Sequence, residues 1–128
     1  LSFEVVNCAV TSSAHEGESA DFYVGQDFWA SSLVKKPNAN SKITVPAQPF
    51  NTILCDRQPN VIFMDVEGAE VELLEGANLE HIDKLCVELH PKFVDMKAIS
   101  RLIGSVLDQG LCLDIEKSIG DVLVFLRN

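Results

Sequence analysis

The stretch Val61-Ile62-Phe63-Met64-Asp65-Val66-Glu67-Gly68-Ala69-Glu70-Val71-Glu72-Leu73-Leu74-Glu75-Gly76-Ala77 decides the fold. Its opening residues, 61–66, form an apolar run broken only by Asp65. That is the pattern of a strand covered on both faces. Gly68 permits a tight turn and a close backbone approach. Val71 and Leu74 then recur at helical spacing over 69–75, and Gly76 stands where a helix C-cap belongs. A buried strand, a glycine turn and a helix make one unit of an α/β fold.

Downstream, residues 84–89 read as a second buried strand, ending in His90-Pro91. Residues 96–108 read as a helix, with Ile99, Leu102, Ile103 and Val106 on one stripe. Residues 111–115 and 122–126 supply two closing strands. Upstream, the Val-rich run Phe3 to Val10 predicts a first strand, and 21–24 a shorter one. Ser31, Ser32, Pro37, Asn38 and Asn40 make 25–41 a long loop. Residues 42–45 form a brief strand that Pro46 and Pro49 end or edge, and 50–56 a brief helix. The expectation is one domain over 1–128, an α/β sheet with right-handed crossovers. It should be mostly parallel, with an antiparallel C-terminal strand.

Composition narrows the partners. A net charge of −9 argues against a nucleic-acid backbone and against an anionic membrane surface. No apolar run approaches the roughly 20 residues that span a bilayer, and no secretion signal opens the sequence. Cys8, Cys55, Cys86 and Cys112 stand singly without zinc or CxxC spacing. Buried free thiols in a reducing compartment account for them, so the chain reads as cytosolic. His15 and His81 lie in polar surroundings and read as exposed. Trp29 beside Phe28 reads as packing of the loop against the sheet, or as a lid.

In open α/β sheets ligands sit beyond the carboxyl ends of the strands. That rule selects Asn7, Asp65, Glu67, Glu88 and His90. An acid near the end of a buried strand is costly without a partner, so Asp65 asks for one. Glu67 and Glu70 fall in a first helical turn, where acids complement the dipole and Glu70 can complete a cap. His90 is a candidate general base, because a free imidazole titrates near neutrality. A strand-end histidine bonded to nearby backbone is the plain structural alternative.

The run DVEGAEVELLEGA, residues 65–77, resembles the signature that methyltransferases of the FkbM family carry after their fourth strand. Glu88-Leu89-His90 resembles the ending of the family's next strand. Asn7-Cys8-Ala9-Val10, Gly17 and Asp21-Phe22-Tyr23-Val24 are similar to its third strand and following hairpin, and Ser31-Ser32-Leu33 to its loop. The resemblance implies a Rossmann-like sheet, S-adenosylmethionine as cofactor and methyl transfer to a hydroxyl group. It implies that Asp65 lies near methyl transfer and that Asn7 and Ala9 lie near the adenine. Glu67 and His90 would face the acceptor. No metal is expected, although Asp65, Glu88 and His90 form an alternative set for a divalent cation that orients the acceptor.

The departure from the family is informative too. The glycine-rich turn of the family's first strand, and the second strand with its ribose-binding acid, have no counterpart in these 128 residues. The expected fold is therefore an incomplete sheet, a partial methyltransferase fold that binds S-adenosylmethionine weakly or not at all. The alternative is a stand-alone, non-enzymatic half-fold that binds a partner or itself. The gap leaves an apolar edge at residues 61–66. Either the first strand fills it or two copies meet there as a homodimer.

Overall fold

The computed structural model describes residues 3–15, 17–24 and 41–128. Seven strands and three helices form among them: β1 (Ala9–Thr11), β2 (Ser19–Val24), β3 (Ser41–Pro49), α1 (Phe50–Arg57), β4 (Val61–Met64), α2 (Glu70–Leu74), β5 (Lys84–Glu88), α3 (Met96–Asp108), β6 (Leu111–Leu113) and β7 (Val122–Arg127). The α/β class is as expected, but the sheet arrangement is not. Two sheets form, of order β1-β3-β2 and β4-β5-β7-β6. Pairs β1·β3 and β4·β5 are parallel, whereas β2·β3, β5·β7 and β6·β7 are antiparallel. The sheets are mixed rather than mostly parallel, while the C-terminal strand β7 is antiparallel to both its neighbours as expected.

The larger sheet carries the core. Leu85 and Val87 of β5, Phe125 of β7 and Leu111 of β6 are buried against Leu74 of α2 and Leu102 and Val106 of α3. Helix α3 has the bounds that the sequence predicts. Asp95 caps it by accepting from the amides of Lys97 (2.8 Å) and Ala98 (2.9 Å), and Ile99, Leu102 and Val106 face the core. Gly76, at φ 81°, ends α2 in the left-handed conformation that favours glycine. Arg127 ties the last strand to three surrounding carbonyls, those of Leu79 (2.7 Å), Gln109 (2.8 Å) and Ile82 (3.0 Å).

Strand β4 overturns one expectation. Ile62 and Met64 are buried, but Phe63 is 82% exposed and Val61 39%. Side chains of a strand alternate between faces, so only one face of β4 meets the core. It is the end strand of its sheet, with β5 as partner. The upstream strand does not fill its other edge. Of the run Phe3 to Val10 only its end enters β1, which pairs with β3, while Phe3, Val5 and Val6 are exposed. An apolar run without a neighbouring ladder has no hydrogen-bond partners to make it a strand.

The prolines in β3 have a specific place. Residues 41–46 pair with β2 and residues 47–49 pair with β1. Pro46 is the last residue of one ladder and Pro49 the last of the other, so the missing amide costs little. Sequence alone reads these prolines as ending a short strand. They instead punctuate a nine-residue one. The thiols are free, but Cys55 and Cys112 are exposed and Cys8 and Cys86 half-buried, which corrects the expectation of buried thiols. His81 is exposed, whereas His15 is half-buried with Nε2 2.9 Å from the Ser19 carbonyl. Phe28, Trp29 and the loop over 25–40 lie outside the described residues.

Candidate functional site

Parallel pairing of β4 with β5 sets Met64 opposite Val87 and so puts the two carboxyl ends side by side. The chain leaving β4 turns through Glu67 at φ 56° and Gly68 at φ 110°. A side-chain-bearing residue in the left-handed region is uncommon and persists where the surroundings fix it. Gly68 is needed twice over. Its φ suits glycine, and a Cβ there would lie 3.1 Å from the Cβ of Phe93.

The turn delivers three acids to one imidazole. His90 Nε2 lies 3.8 Å from Asp65 Oδ1 and 3.8 Å from Glu67 Oε2. On the other side of the ring, His90 Nδ1 is 2.6 Å from Glu70 Oε1. Side-chain exposure grades across the group, from 59% at Asp65 and 29% at Glu67 to 16% at His90 and 1% at Glu70. The Nε2 side therefore faces solvent and the Nδ1 side faces the core. Phe93 stacks beside His90, ring centroids 6.4 Å apart and 28° between planes, and gives the site an apolar flank.

Of the residues selected from sequence, the structure brings Asp65, Glu67 and His90 together. Their donor atoms all lie within 4.8 Å of one another, close enough for the three to share a metal ion. One imidazole nitrogen and two carboxylate oxygens suit a divalent transition cation by donor type. Glu88, in the alternative cation set read from sequence, is not in this group; Glu67 stands in its place. Asn7 and Ala9 belong to the other sheet region. Ala9 is buried in β1 and Asn7 is exposed just ahead of it.

Between β1, β2 and α2 lies a cavity of about 210 Å³, lined by Thr11, Ser12, Ala20, Asp21, Ala69 and Glu72 among others. The hydroxyl of Thr11 is buried there without a hydrogen-bond partner. Such a group costs free energy unless something satisfies it. Ser12 donates to Glu72 Oε1 at 2.9 Å across the same seam. Asp21 holds the ammonium of Lys42 at 2.9 Å, and that bond and charge raise the lysine's pKa.

The sequence model of the methyltransferase FkbM domain matches residues 5–128. The chain belongs to that family. No curated protein and no solved structure shows a significant match to it. For an FkbM-family chain, methyl transfer is the activity to be explained, and S-adenosylmethionine is the methyl donor that such transfer generally uses. Among the described residues no helix is long and apolar enough to cross a membrane. Two residues of interest escaped the sequence reading. Glu70 reads as a helix cap and does accept the Gly68 amide; what the sequence does not show is its tertiary contact with His90. Thr11 sits in a run of small polar residues that gives no sign of its burial.

Proposed function

We propose that this FkbM-family chain serves S-adenosylmethionine-dependent O-methylation, with the Asp65–Glu67–His90 cluster as the acceptor site. The observation that carries this is the convergence of one imidazole and two carboxylates at neighbouring strand ends. The cofactor supplies an electrophilic sulfonium methyl group. His90 Nε2 receives the acceptor's hydroxyl proton as the oxygen takes the methyl. Asp65, the more exposed acid, stands nearest methyl transfer, and Glu67 holds the acceptor beside it. Phe93 excludes water from one side.

Part of the cofactor fits the cavity between β1, β2 and α2. Thr11, whose buried hydroxyl has no partner, lines it together with Val10, whereas Ala9 and Asn7 precede these residues in the chain and do not line it. At about 210 Å³ the cavity falls below the roughly 300–1,000 Å³ usual for ligand pockets. That supports the reading of a partial methyltransferase fold that holds S-adenosylmethionine weakly. The position of β4 at the end of its sheet, with β5 on one side only among the described residues, supports pairing of two copies along it.

The test is methyl transfer from labelled S-adenosylmethionine to polyhydroxylated acceptors by a complete version of the protein, one that adds the cofactor-binding strands to these residues, since this chain alone is expected to be inactive. Asp65→Ala should abolish transfer, and His90→Ala should lower it by about 10²–10⁴-fold, with thermal stability held near that of the parent. Equal loss of stability and activity would mean that these residues serve the fold. Undiminished transfer in His90→Ala would remove the imidazole from the mechanism.

A further inference from the structure

We propose that Glu70 is a positioning residue: it fixes the tautomer and orientation of His90 so that Nε2 carries the lone pair facing the acceptor. This rests on the reading of the Asp65–Glu67–His90 cluster as the acceptor site.

Glu70 is an unusual carboxylate. It opens α2, where acids are normally exposed and complement the helix dipole, yet its exposure is 0%. Oε1 accepts from the Gly68 amide at 2.9 Å, and Oε2 is buried with no hydrogen-bond partner. Burying a carboxylate is expensive, and an unsatisfied oxygen adds to the cost. A cap needs only an acceptor for the Gly68 amide, which a half-exposed side chain supplies more cheaply. Capping therefore does not explain why the group is buried. Its contact with His90 does.

The Gly68 amide can only donate, so Glu70 Oε1 is the accepting oxygen on that side. The same atom lies 2.6 Å from His90 Nδ1; an ionised carboxylate can only accept, so against it Nδ1 carries the proton and donates it. In the neutral ring the remaining lone pair is then on Nε2. Asp65 and Glu67 stand 3.8 Å from that nitrogen, beyond hydrogen-bond reach. Both leave Nε2 open to a hydroxyl placed between them. When the acceptor O–H breaks, its proton goes to Nε2, and the imidazolium is stabilised by Glu70 on its buried side. A buried carboxylate holding a ring nitrogen is also the arrangement that orients histidines in other catalytic settings.

The experiment is nitrogen-detected NMR of His90 in the 128-residue chain, which needs neither cofactor nor acceptor. The expected result is that, at a pH where the ring is neutral, its proton sits on Nδ1, with that tautomer preference lost in Glu70→Ala. Glu70→Gln should keep it, because the Gly68 amide pins the amide oxygen of Gln toward Nδ1. A parent protein whose neutral ring carries its proton on Nε2 overturns the proposal even if Glu70→Ala fails to fold. In the transfer assay Glu70→Ala should lower kcat by about 10–100-fold with KM unchanged, and Glu70→Gln should recover most of it. A folded Glu70→Ala with parental kcat also overturns the proposal. If His90→Ala leaves transfer unchanged, the acceptor-site reading fails instead, and the tautomer measurement still decides whether Glu70 sets the ring.

Discussion

The sheet β4-β5-β7-β6 holds Leu85, Val87 and Phe125 at zero exposure, whereas the sheet β1-β3-β2 has only Ala9 and Thr11 buried among its strand residues. The larger sheet has helices α2 and α3 packed into one apolar core. The smaller one is fastened to it by polar links as well. Ser12 bonds Glu72, and Asn51 of α1 donates to the Gly76 carbonyl at 2.9 Å and to the Ser13 hydroxyl at 2.8 Å. The catalytic candidates sit on the well-packed sheet. The cavity that suits part of the cofactor sits at the seam between the two. A geometry that must hold an imidazole against a carboxylate gains from rigid surroundings, and a site that admits a ligand gains from a softer boundary.

The largest test of that contrast is a pair of truncations. Phe125→Ala should destabilise the protein by about 3–5 kcal/mol, because it leaves a cavity in the close-packed sheet. Ile43→Ala, at a β3 position that is 48% exposed, should cost under about 1 kcal/mol. Urea unfolding of both variants gives the comparison. Similar losses would show that burial does not separate the two sheets energetically.

Gly68→Ala comes next and sharpens the role of the turn. The substitution sets a Cβ against Phe93 and forces an alanine to φ 110°. A loss of about 1–3 kcal/mol is expected. Methyl transfer should fall further than stability explains, since the Gly68 amide anchors Glu70. Stability within about 0.5 kcal/mol of the parent would mean that the turn relaxes freely and does not set the site.

Much of the larger sheet was legible in the sequence. The Ile99-Leu102-Ile103-Val106 stripe announced α3, and the apolar run at 84–89 announced β5. The site was legible to the extent that strand ends are. Asp65, Glu67 and His90 each follow a strand-like run, and parallel pairing brings such ends together. What periodicity cannot show is which neighbour a residue will meet. Phe63 reads as buried in a continuous apolar run, but its face is settled by β4 being the end strand. Pro46 reads as a terminator, but a strand may change partners across it when its two ladders lie on opposite edges. Glu70 reads as a cap, because the histidine it holds lies twenty residues further along.

The smallest effect concerns the seam. Ser12 is buried to 9% exposure and donates to Glu72 at 2.9 Å. Replacing it with alanine removes one hydroxyl-to-carboxylate bond, but Glu72 is exposed and can turn to water, so no charge is stranded. The expected loss is about 0.5–1.5 kcal/mol. It should be unevenly distributed if the smaller sheet is held on by such links. Native-state hydrogen exchange reads this directly, because amides of the β1·β3 ladder and of the β5·β7 ladder report separate openings. In Ser12→Ala the first set should lose protection while the second keeps it. An equal drop in both would mean that the sheets open only together, and that the core of the larger sheet extends its cooperativity across the seam.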